Sequence, residues 1–144
     1  MIPFSMLSHM TQWLRFCPSI LAATALLAGC GFVHNERLDG PYRLNAIDAG
    51  SEMSVCYDLG DGNCIGRISE TVFAVGWNSS YLVAARHPHN DKSKVEYFYL
   101  VRALDGPLVD PSVTVRGPFD LSSFEQERQR LGLPSLTREL ASLK

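Results

Sequence analysis

From Pro41 onward the chain is written mostly in period two. Pro41 to Asp48 sets Tyr42, Leu44 and Ala46 against Arg43, Asn45 and Ile47, the pattern of a strand with one buried face. Met53 to Asp58 and Cys64 to Ser69 flank Leu59-Gly60-Asp61-Gly62-Asn63, a turn-forming run, and so predict a hairpin. Thr71 to Trp77 (T-V-F-A-V-G-W) and Tyr81 to Arg86 (Y-L-V-A-A-R) are apolar on both faces and belong at the centre of a sheet, joined by Asn78-Ser79-Ser80. Gly76 permits a close backbone approach or a bulge there. Lys94 to Ala103 is the longest strand candidate. It places Val95, Tyr97, Tyr99 and Val101 on one face and Phe98 and Leu100 on the other. Ser112 to Arg116 suits a short edge strand.

The period changes at Asp120. Leu121, Phe124 and Leu131 recur at helical spacing, with Ser122 as the expected cap and Glu125 reaching back to it. Gly132 ends that helix, and Pro134 follows. Ser135 to Lys144 is expected as a second short helix, with Leu136, Leu140 and Leu143 on one stripe. Strands first and helix last favour an α+β fold, mainly β. The expected architecture is an antiparallel meander of five or six strands with C-terminal helix packed on the sheet.

The N-terminal part follows neither period. Ile20 to Cys30 reads I-L-A-A-T-A-L-L-A-G-C, uncharged but too short to span a bilayer, which takes roughly 20 apolar residues. Arg15 precedes it, and small residues close it, as in an export leader. Those small residues end in cysteine. Leu27-Ala28-Gly29-Cys30 resembles the lipobox of bacterial lipoprotein signal peptides at every position. The resemblance implies cleavage between Gly29 and Cys30, a covalent lipid on the Cys30 sulfur, and a partner in the lipid bilayer. Gly31, where inner-membrane lipoproteins usually carry Asp, implies the outer membrane of a double-membrane bacterium. The run Val72 to Pro88, with the aromatic strand around Tyr97 to Tyr99 and a late Leu-Gly-Leu-Pro, resembles a segment of small uncharacterised bacterial lipoproteins, a group that brings no activity with it. The expected division is a signal peptide over 1–29, a tether over 30–40 and a single small β-rich domain over 41–144.

Charge and cysteine count sharpen this picture. Arg15 alone of the 13 Lys and Arg precedes Cys30, and all 15 Asp and Glu follow it. The chain from Cys30 onward is therefore acidic and has no basic run, which argues against a nucleic-acid partner. Of four cysteines, Cys17 leaves with the leader and Cys30 is committed to lipid. Cys56 and Cys64 remain, an even pair in an exported chain, and a hairpin turning about Gly60 brings them face to face as a disulfide.

Candidate chemistry is sparse. His87 and His89, with Asp91 two residues on, have the alternate spacing that can chelate a metal from one face of an extended segment. Pro88 and Asn90 mark the same stretch as a surface turn. Asp58, Asp61 and Asn63 suggest a calcium loop, but Ser69 stands where the bidentate Glu is needed. Trp77, Tyr81, Tyr97 and Tyr99 suit either core packing or an aromatic binding face. No catalytic motif is present, and no cofactor is expected beyond the lipid. The leading functional expectation is a membrane-anchored envelope lipoprotein acting as a non-enzymatic binding or structural module, with an envelope protein as a possible partner. The alternatives are an inhibitor or immunity-type protein that captures an enzyme or toxin, and a metal-dependent enzyme using His87 and His89.

Overall fold

The computed structural model describes residues 32–144. The leader, the lipobox and Cys30 lie outside the described residues. Among the described residues nine strands run in order: β1 (His34–Arg37), β2 (Tyr42–Ala46), β3 (Ser54–Gly60), β4 (Asn63–Ile68), β5 (Val72–Trp77), β6 (Tyr81–Arg86), β7 (Glu96–Val101), β8 (Val115–Phe119) and β9 (Arg138–Glu139). A single-turn α1 (Pro111–Thr114) precedes β8, and α2 (Leu121–Leu131) follows it. The fold is mainly β and antiparallel, with α2 on the sheet, as the sequence pattern implies.

The strands divide into two sheets. The first has the order β1-β2-β3-β4, and the second the order β8-β7-β6-β5-β9. They pack face to face. Tyr42, Leu44, Ala46, Val55 and Ile68 of the first sheet meet Val72, Val75, Leu82, Ala84, Phe98 and Leu100 of the second. Each fully buried aliphatic side chain of this kind contributes about 1.5–3 kcal/mol. A register shift between Val72 and Ala74 explains why Val72 and Val75, three apart, share a face. Phe73 and Ala74 consequently turn to the other side.

The second sheet is also covered on its far face. Phe124 of α2 and Leu133 after it pack on Val83 and Tyr99, with Tyr81, Tyr97 and Val101 around them. The aromatic residues thus serve the core, Trp77 included. Phe98 and Leu100 face one layer and Tyr97, Tyr99 and Val101 the other, as alternation requires. The result is three layers: sheet, sheet, helix. The outer face of the four-stranded sheet has no described layer over it.

Four expectations need correction. The stretch 30–40 is not simply a tether, because β1 forms within it and pairs His34 to Arg37 with Arg43 to Ala46. Alternation of half-buried His34 and Glu36 with exposed Asn35 and Arg37 reflects that pairing. The edge strand runs Val115–Phe119, not Ser112 to Arg116, since Asp110 caps α1 by accepting from the Ser112 amide. The α2 cap is Asp120, whose carboxylate accepts from the Ser123 amide at 2.7 Å, so Ser122 is not needed. Finally, Ser135 to Lys144 forms no helix. Arg138–Glu139 adds to the edge of β5, flanked by Thr137 N to Val75 O and Leu140 N to Phe73 O. The leucine stripe still packs inward, but from an extended tail. Gly132 is the C-cap expected, with φ of 67°.

Candidate functional site

Alternation builds the outer face of the four-stranded sheet. On β2 the residues between the core positions are Arg43 and Asn45. Their neighbours are Arg37 and Asn35 on β1, and Cys56 and Ser54 on β3. Cys56 is bridged to Cys64 of β4, with Cα atoms 5.7 Å apart. The bridge is diagonal: Cys56 pairs with Gly66, and Cys64 with Asp58. A shift between Asp58 and Gly60, followed by the Asp61-Gly62 turn, sets that register. The expected bridge is present, though the two residues are not directly opposed.

Beside the disulfide, Arg43 Nε donates to Asp58 Oδ2 at 2.7 Å and Nη1 donates to Asn35 Oδ1 at 3.0 Å. The Gly60 amide donates to Asp58 Oδ1 at 2.8 Å. That amide and the Arg43 guanidinium hold the Asp58 carboxyl below the usual carboxylate range. These groups line a cleft of about 190 Å³ with Phe32, Asn45 and the turn Asp61-Gly62-Asn63. A second hollow of about 290 Å³ continues past Asn45 between Ile47, Glu52, Ser54 and Glu70. Asn45 Oδ1, shared between the two, is buried and has no partner among the described residues. Apolar residues close this end of the face. Val33 donates its amide to the Ile47 carbonyl, and both side chains are 57 % exposed.

The face is suited to contact through hydrogen bonds and a mixed-charge rim.

The histidine pair diverges. His87 is buried, its ring stacked on Phe73 with centroids 4.4 Å apart. Its Nδ1 donates to the Lys94 carbonyl at 2.7 Å, and Nε2 has no partner among the described residues. His89 is exposed in a left-handed turn, with φ of 51°. Asp91 is engaged by Ser93 and Lys94. The turn between Pro88 and Asn90 therefore points the three side chains apart, and among the described residues no three His, Cys, Asp or Glu gather to hold a metal. Asp61 and Asn63 stand in the same exposed turn as the disulfide cleft.

Sequence reasoning named Cys56 and Cys64 here but passed over Asn35, Arg43 and Asn45. The signal was available in the polar half of the Tyr42 to Ala46 alternation. Asn35 was hidden because β1 has too few apolar residues to read as a strand. A second omission lies between the sheets. Arg67 of β4 and Asp105, after β7, form a fully buried pair, with Tyr42 Oη donating to Asp105 Oδ2 at 3.0 Å. Burial and the adjacent carboxylate push the Tyr42 phenol above its usual range. The Arg67–Asp105 pair ties the two sheets together and is structural. No family model, no curated protein and no solved structure matches this chain.

Proposed function

We propose that this protein is an exported, lipid-anchored envelope module that works by binding, and that the outer face of the four-stranded sheet is its working surface. The observation that carries the reading is the Cys56–Cys64 bridge on that face. A disulfide in a small β domain suits an oxidising compartment outside the cytoplasm. It also leaves Cys30 as the cysteine that the lipobox resemblance assigns to lipid. Two or three acyl chains there hold a protein stably at a membrane, whereas one does so only marginally.

The test is mass analysis of the mature amino terminus with fractionation of Cys30→Ser. The expected results are a chain starting at lipid-modified Cys30, palmitate labelling, and loss of the variant from the membrane fraction. A Cys30→Ser protein that stays membrane-bound, with an unlabelled wild type, overturns the reading.

A further inference from the structure

We infer that the outer face of the four-stranded sheet lies against the bilayer surface, with Phe32, Val33 and Ile47 seated in the interface. The inference rests on the lipid-anchored reading above and names the partner of that same surface. Chain length is the first argument. Only Gly31 separates Cys30 from Phe32. Two peptide units span at most about 7.6 Å between Cα atoms, so a lipid on Cys30 leaves the domain no room to stand off.

The second argument is where the described chain begins. Phe32 lines the cleft with Asn35, Arg43, Asn45 and Cys64, so the first described residue lies at the outer face of this sheet. The third is composition. Phe32, Val33 and Ile47 are 43 %, 57 % and 57 % exposed and gather at this face. Val33 and Ile47 are neighbours across the β1–β2 ladder. The far layer, α2, exposes Leu121 at its first turn. The solvent side of α2 carries Glu125–Arg128 and Glu127–Arg130 ion pairs. The outer face carries an ion pair of its own, Arg43–Asp58, so the apolar contact is confined to the end where Phe32, Val33 and Ile47 gather.

The test uses the full-length precursor, processed in a bacterial host, purified from membranes and reconstituted into phosphatidylethanolamine–phosphatidylglycerol vesicles with or without bromine on the acyl chains. Trp77 gives a constant background. Ile47→Trp and Val33→Trp report from the proposed contact face, and Gln126→Trp from α2, on the far side of the second sheet. All three positions are solvent-exposed, so folding is preserved, and near-ultraviolet dichroism checks it. Bromine on the acyl chains is expected to quench the added fluorescence at 47 and 33 by about half or more, the depth expected for an interfacial contact. Gln126→Trp is expected to match wild type. Equal quenching at all positions, or none at 47 and 33 in protein shown by mass to be lipidated, overturns this inference and leaves the anchored reading standing. Absence of lipid from the mature terminus overturns both.

Discussion

Arg67 Nε reaches both carboxylate oxygens of Asp105, at 2.9 and 3.0 Å, and neither side chain is exposed. Arg67 Nη2 also donates to the Gly106 carbonyl at 2.7 Å, and the guanidinium lies over the Tyr57 ring. Removing one partner strands the other charge in the interior. Asp105→Ala is expected to cost about 3–5 kcal/mol in urea unfolding. The double variant Arg67→Met/Asp105→Leu is expected to lose much less, because no unpaired charge remains.

Gly76 has no room for a side chain. A Cβ there would lie 1.9 Å from the Ser135 carbonyl oxygen. The tail backbone crosses β5 at that point, so Gly76→Ala must push the two apart. The expected destabilisation is about 1–3 kcal/mol, read as a lower thermal midpoint.

The Cys56–Cys64 bridge closes a short loop, with a sequence separation of 8. Chain-entropy arithmetic for so small a ring gives about 2–3 kcal/mol. Cys56→Ala/Cys64→Ala is expected to lower the urea midpoint accordingly, and dithiothreitol to do the same to the wild type but nothing to the variant.

Glu36 of β1 pairs bidentately with Arg138 of β9, at 2.9 and 2.8 Å, which links the two sheets at one edge. The Arg138 guanidinium holds the Glu36 carboxyl below its usual range, against a smaller opposing effect of burial. A depressed carboxyl contributes stability that is present above its unfolded pKa and is lost as pH falls through the folded value. Glu36→Gln is therefore expected to flatten the fall in urea midpoint between neutral and acid pH. An unchanged slope would show that the pair contributes nothing.

The mainly β character was legible because β6 and β7 bury side chains at strict alternation: Leu82 and Ala84 to one side, Phe98 and Leu100 beside them. The split into two sheets was not, because alternation shows which side chains are buried and not what they are buried against. Arg138–Glu139 carries no β pattern at all. The open edge of β5 makes it a strand, and the leucines around it mimic a helical stripe by chance of spacing. The diagonal disulfide depended on the irregular register between Asp58 and Gly60, which turn residues alone do not specify. In the candidate site, Arg43 and Asn45 were readable from β2, whereas Asn35 needed its partner strand to be recognised.

The strand β9 is only two residues long, yet it covers the edge of an apolar, uncharged strand, V-F-A-V-G-W. Bare edges of that composition recruit other chains, and the charged Arg138 and Glu139 are the kind of residues that prevent it. Because β9 lies far C-terminal to β5, the β5 edge stays uncovered until residues 138–139 have been made. A nascent or C-terminally clipped molecule is thus the species most exposed to self-association, and a ribosome that stops before residue 137 releases a chain with a sticky edge instead of a shorter version of the same protein.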